Sequence, residues 1–132
     1  MKPAPPTDSK PSARMPNADR RKAERRGRLS EYWAALYLLL KGYRIIALRY
    51  RTSLGEIDII ARKADLAVFV EVKARRSERE AVDAVSYTAQ ARIRSAGDLW
   101  LSRQKDANRL SLRYDIVAVQ PGRWPQHFKD AF

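Results

Sequence analysis

The chain has 132 residues, 45% of them hydrophobic, enough for one domain with a real core. It has no cysteine, which excludes disulfides and thiolate metal sites, and its single histidine, His127, leaves little room for a His-rich zinc site or a Ser-His-Asp triad; an enzyme built from it runs on carboxylates, lysine and a hard metal. Lys and Arg number 27 against 15 Asp and Glu, and a net charge of +12 favours polyanionic partners through phosphate contacts and counterion release.

Residues 1–18 carry Pro3, Pro5, Pro6, Pro11 and Pro16 among small polar residues and lysines. By composition this is a basic disordered tail ahead of a folded domain at 19–132. Residues 1–28 hold nine Lys and Arg against three Asp and Glu, so much of the charge excess lies at this end. The amino terminus lacks the apolar stretch of a secretory signal, and the longest apolar run, Tyr32 to Leu40, is too short to span a bilayer. The expectation is a cytoplasmic protein with no membrane contact.

A first helix is predicted from Ala18 to Lys41. Leu29, Trp33, Leu36 and Leu40 recur at steps of four, three and four and mark an apolar face. From Trp33 onward the segment is apolar almost all round, which calls for burial against a sheet with further contacts outside. Gly42 reads as the glycine that ends it. Three strands follow, Tyr43–Arg51, Glu56–Arg62 and Leu66–Lys73, joined by turns short enough for an antiparallel meander. A charged loop, Ala74 to Glu80, leads to a second helix predicted over Ala81–Gln104. Its apolar stripe is Val85, Ala89, Ile93, Ala96 and Trp100. A fourth strand, Ser111–Gln120, stops at Pro121-Gly122, and residues 123–132 form a last short strand or turn with Trp124 and Phe128 packing. The fold class is α/β: helix-strand-strand-strand-helix-strand, a mixed sheet flanked by helices, with a helical crossover that makes the fourth strand parallel to the third.

Acids stand in two of these apolar strands. Alternation puts Glu56, Asp58 and Ile60 on one face of the second strand, with Ile57 and Ile59 on the other. In the third strand Phe69, Glu71 and Lys73 share a face. A suitable register brings Asp58 close to Glu71, with Lys73 two residues on. Two carboxylates that close repel unless a cation intervenes, and oxygen donors without sulfur or imidazole suit Mg²⁺ or Mn²⁺. The Val72 carbonyl is a further candidate ligand. The competing reading is an amphipathic hairpin whose Glu56 and Asp58 face solvent and whose Glu71 pairs with Lys73 or an arginine.

Asp58, a twelve-residue gap and then Glu71-Val72-Lys73 resembles the PD-(D/E)XK nucleases, whose restriction-endonuclease-like core has this element order. More narrowly, the chain is similar to the YraN family of bacterial proteins, themselves similar to archaeal Holliday-junction resolvases. The matching stretches include Gly27 with Glu31, Gly42-Tyr43, Arg51, Gly55-Glu56-Ile57-Asp58-Ile59-Ile60-Ala61, Val68 through Arg75, Arg113-Tyr114-Asp115-Ile116-Val117, and His127 with Ala131-Phe132. They cover residues 27–132.

The resemblance implies a metal-dependent, structure-selective DNA endonuclease that acts on branched or structured DNA, and resolvase-like relatives make a homodimer an expectation. A catalytically silent nucleic-acid-binding module on the same fold is the alternative. Asp58 and Glu71 match the metal-binding acids, Lys73 the catalytic lysine, Glu31 the first-helix glutamate that completes such sites, and Gln90 a polar residue of the second helix that faces the site. Two positions depart from the family pattern: Arg49 stands where asparagine is usual, and Ala89 where lysine is usual. The resemblance favours the metal over an arginine such as Arg28 as partner of Glu31, an acid set between Ala35 and Leu38 on an apolar side. Asp115 reads as structural and His127 as a packed or surface histidine. Arg49, Arg51, Arg75, Arg76, Arg92 and Arg94 are candidate phosphate contacts, and Trp33, Trp100 and Trp124 read as core aromatics.

Overall fold

The computed structural model describes residues 17–74 and 78–132; residues 1–16 of the tail expected at 1–18 and the candidate phosphate contacts Arg75 and Arg76 lie outside the described residues, while Asn17 and Ala18 already belong to the first helix. Helix α1 spans Asn17–Leu40, strands β1 Arg44–Arg51, β2 Glu56–Lys63 and β3 Leu66–Lys73, helices α2 Glu78–Asp83 and α3 Tyr87–Ser102, and strands β4 Ser111–Ala118 and β5 Gln126–Phe128. The five strands lie in the order β1-β2-β3-β4-β5. All neighbours are antiparallel except β3 and β4, which are parallel across the α2–α3 crossover. This is the expected α/β architecture, a mixed sheet with helices on both faces.

Chain geometry explains the element ends. Beyond α1, Gly42 takes a φ of +94°. Its N–H bonds the Leu39 carbonyl while that of Tyr43 bonds Leu38, the paired bonds of a glycine-terminated helix. The second predicted helix is two helices. Ser86 interrupts it: its Oγ accepts from the Ala89 N–H at 3.1 Å and starts α3 afresh. The capping serine was present in the sequence but was outweighed there by an apolar stripe running through the break.

Two layers of core result. On one face Ile57, Ile60, Phe69, Tyr114 and Ile116 pack against Ala81 of α2, Val85, and Ile93, Ala96 and Trp100 of α3. On the other, Ile59, Ala61, Val68, Val70 and Val117 pack against Ala34, Ala35 and Leu38 of α1. The expected apolar face of α1 is thereby corrected. Leu29, Trp33, Leu36 and Leu40 are exposed, and the helix meets the sheet through Ala34, Ala35 and Leu38. Small side chains let the helix backbone come close to the sheet, and in a segment apolar all round no periodicity marks that side. Of the three tryptophans expected in the core, Trp100 is buried, whereas Trp33 and Trp124 are not.

Asp115, in the middle of β4, is fully buried. Its carboxylate accepts from Arg113 Nε at 2.9 Å and Nη2 at 2.8 Å, from the Asp130 N–H at 2.9 Å, and from His127 Nε2 at 2.6 Å. Lys41 Nζ donates to His127 Nδ1 at 2.8 Å, so the imidazole carries its proton on Nε2, toward Asp115. The structural reading of Asp115 and the packed reading of His127 both hold.

Candidate active site

β2 and β3 pair regularly from Lys63–Leu66 to Ile59–Val70, and the ladder ends there. One residue further, Asp58 Oδ2 accepts the Val72 N–H at 2.8 Å, so a carboxylate replaces the backbone acceptor. Across from it on β1, Arg49 adopts a φ of +54°. With both neighbouring segments irregular, β2 loses strict alternation: Ile57 joins Ile60 on the α3 face, while Ile59 stays on the α1 face. The expected sharing of one face by Ile57 and Ile59 is therefore corrected. Beyond Ile59 the strand is paired on the β1 side alone, opposite the left-handed Arg49, and the β3 side no longer holds it to the pleat.

The register nonetheless places the two acids together. The Glu71 carboxyl lies beside the Asp58 carboxyl, close enough for the two to share a hydrogen bond when one of them is protonated. Burial, the Asp58 charge and that shared hydrogen bond push Glu71 up to about 8, against the weaker opposing pull of Lys73. Lys73 Nζ stands 3.7 Å from Glu71 Oε2. A buried acid kept neutral by a second acid is what a pair of hard-metal ligands becomes when a proton takes the place of the cation. The donor set fits Mg²⁺ or Mn²⁺. Among the described residues no three His, Cys, Asp or Glu side chains converge as a ligand group, so the ion would draw its other ligands from backbone such as the Val72 carbonyl, water and substrate.

Glu31 reaches the same region from α1. Its partner is Arg49, not Arg28: Arg49 Nε donates to Glu31 Oε1 at 2.6 Å. Burial raises the Glu31 carboxyl above its ordinary range, the Arg49 hydrogen bond opposes this, and the Asp58 charge adds to the rise. The positive φ at Arg49 suits the asparagine expected at this position better than the arginine that stands there.

On the α3 side a small cavity of about 230 Å³ is lined by Glu56, Glu71, Ser86, Ala89 and Arg92 among others. Arg92 thus stands at the site. Gln90 lies in the same turn, but its amide donates to the Val85 carbonyl at 3.1 Å and ties α3 to the preceding turn. Arg51 pairs with Glu56 at 3.3 Å. Arg94 lies over the Tyr114 and Phe132 rings, 4.9 and 5.9 Å from their centroids.

Gly55 fixes the approach of α3 to this corner. Thr52 holds the β1–β2 turn, its Oγ1 accepting from the Leu54 and Gly55 N–H groups at 3.0 Å each. A Cβ at Gly55 would lie 2.6 Å from the Arg92 carbonyl oxygen, a backbone atom that cannot swing aside. Gly55→Ala is expected to destabilise the fold by about 1–3 kcal/mol, read by urea unfolding, and to push α3 off the acid pair. An unchanged midpoint would show that this contact is not tight in solution.

What the sequence reading lacked was the Glu31–Arg49 pair, since residues 18 apart on a helix and a strand carry no shared periodicity. It also lacked the exposed Trp33 and Trp124 beside the site. The model of the Uncharacterised protein family UPF0102 matches residues 30–119. The chain is 74% identical over 115 residues to a UPF0102 protein of Rhizobium johnstonii, covering 87% of this chain and 94% of that protein. A UPF0102 protein of Agrobacterium fabrum is 72% identical over 113 residues, covering 86% and 93%, and one of Rhizobium meliloti 65% over 120 residues, covering 91% and 98%.

Proposed function

From the acid pair of a chain that belongs to the UPF0102 (YraN) family, we propose a metal-dependent, structure-selective DNA endonuclease that hydrolyses phosphodiester bonds. The observation that carries this reading is the juxtaposition of the Asp58 and Glu71 carboxyls at the end of the β2–β3 ladder, with Lys73 Nζ 3.7 Å from Glu71. Asp58 and Glu71 would hold Mg²⁺ or Mn²⁺, and the Val72 N–H fixes the orientation of Asp58. When bound, the ion supplies an acidified water and charge stabilisation at the leaving oxygen. Lys73 Nζ neutralises negative charge growing on the phosphoryl oxygens. Arg92, at the rim, is placed to meet a neighbouring phosphate.

Ligation requires Glu71 as the carboxylate. Below about pH 8 its proton must leave when the ion binds, so Mg²⁺ affinity is expected to rise with pH and level off above about pH 8. Calorimetry in buffers of differing ionisation enthalpy checks this by counting protons released. Affinity that does not vary with pH would remove Glu71 from the ligand set.

A silent nucleic-acid-binding module is the second reading, favoured by one observation: Arg49 already neutralises Glu31. A cleavage panel of linear, forked and four-way DNA with Mg²⁺ and Mn²⁺ separates the two. Nicking that Lys73→Ala abolishes supports the nuclease; binding in chelator with no nicking of any substrate supports the module. No helix among the described residues is long and apolar enough to cross a membrane.

A further inference from the structure

A cleft of about 1030 Å³ opens between the middle of α1 (residues 27–33), the carboxyl end of β3, and residues 119–124 that follow β4. Glu31 and Lys73 line it together with Trp33 and Trp124, so it is continuous with the acid site. The carboxyl ends of parallel strands are where open α/β sheets bind ligands, because the chain diverges there into helices and loops and leaves a crevice.

The cleft wall is unusual for its aromatics. The Trp33 and Trp124 rings lie 6.0 Å apart between centroids and within 10° of parallel, and Tyr37 packs on Trp124 at 6.4 Å. Yet Trp124 is 66% and Trp33 41% exposed. Two large rings held in place by each other and left uncovered present flat π surface to solvent. Lys73 and Arg123 line the same cleft. Flat apolar surface flanked by cations matches a ligand with a flat aromatic part and an anionic part, in a chain of net charge +12. In a duplex the base faces are covered by their stacked neighbours, so only an unpaired base offers its face to an indole.

We propose that this cleft receives an unpaired nucleobase of the strand whose phosphodiester lies at Asp58, Glu71 and Lys73. The substrate class is then nucleic acid with unpaired nucleotides beside the scissile phosphate, such as forks, flaps and opened branch points. The placement of the phosphate rests on the nuclease reading; the stacking cleft does not. The cleft is concave and contains Glu31 and Lys73, which favours a nucleotide over a second copy of the chain as its occupant.

The test measures binding in chelator, where cleavage plays no part, using fluorescently labelled oligo(dT) and a blunt duplex with wild type, Trp124→Ala, Trp124→Phe and Trp33→Ala. The expected result is about a tenfold loss of oligo(dT) affinity in each alanine variant, recovery in Trp124→Phe, and duplex affinity unchanged. Tryptophan emission should fall on oligo(dT) binding, with the buried Trp100 as a residual signal. Equal losses on both probes, or no loss on either, overturn the proposal. So does sedimentation of the free protein as a dimer that Trp124→Ala dissociates, since a second copy would then fill the cleft. The nuclease reading is tested separately by Lys73→Ala cleavage, so either can fail while the other stands.

Discussion

Asp58→Ala is expected to lower metal-dependent cleavage of branched DNA by about a thousandfold or more, because metal charge stabilisation is worth several kcal/mol of barrier. Removing this side chain does two things. It deletes one of the two carboxylates proposed to hold the ion, and it relieves Glu71 of the neighbouring charge that adds to burial in keeping it protonated. The variant should therefore bind Mg²⁺ weakly by calorimetry while remaining folded, since Asp58 sits at the end of the ladder and not in the core. Lys73→Ala should bind Mg²⁺ and lose cleavage by about 10²–10⁴-fold, since its ammonium acts on developing charge. Cleavage at wild-type rates by both variants would place the chemistry elsewhere in the chain, and wild-type inactivity on every branched substrate would leave the binding module.

Asp115→Ala is expected to cost about 3–5 kcal/mol of stability. The carboxylate is the common acceptor of Arg113, His127 and the Asp130 N–H, and without it a half-buried guanidinium and a buried imidazole lose their partner. Arg113 also donates to the Tyr43 hydroxyl at 2.8 Å, so the network joins the end of α1 to β4, β5 and the carboxyl terminus. Burial by itself would raise the Asp115 carboxyl. The hydrogen bonds from His127, Arg113 and Asp130 outweigh it and hold the group down at about 2, below its ordinary 3.8. A lowered folded-state value means that the unfolded chain takes up the proton first as pH falls. The stabilisation is present above pH 3.8 and is lost progressively as pH falls toward 2. Urea unfolding at a series of acidic pH values should show that slope in the wild type, and Asp115→Asn should flatten it. A parallel slope in Asp115→Asn would assign acid sensitivity to other carboxylates.

Local patterning carried much of this protein. The bounds of β3 follow from its apolar run between two turns, and the glycine-terminated end of α1 follows from Gly42. Asp58 and Glu71 were legible as a pair because period-two alternation and short turns leave few registers for an antiparallel hairpin. The alternation argument failed at Ile57, where Asp58 takes over a backbone bond that would otherwise have held the strand flat.

From the sequence by itself came the element order, the mixed sheet and the meeting of two acids, because each is encoded in spacings within a strand or between adjacent ones. Which side of α1 faces the sheet, the pairing of Glu31 with Arg49, and the cleft beside Trp33 and Trp124 were decided by tertiary structure. A helix apolar on every side has no preferred face until a sheet selects the residues small enough for close approach, and the side chains it rejects are left at the edge of the candidate site.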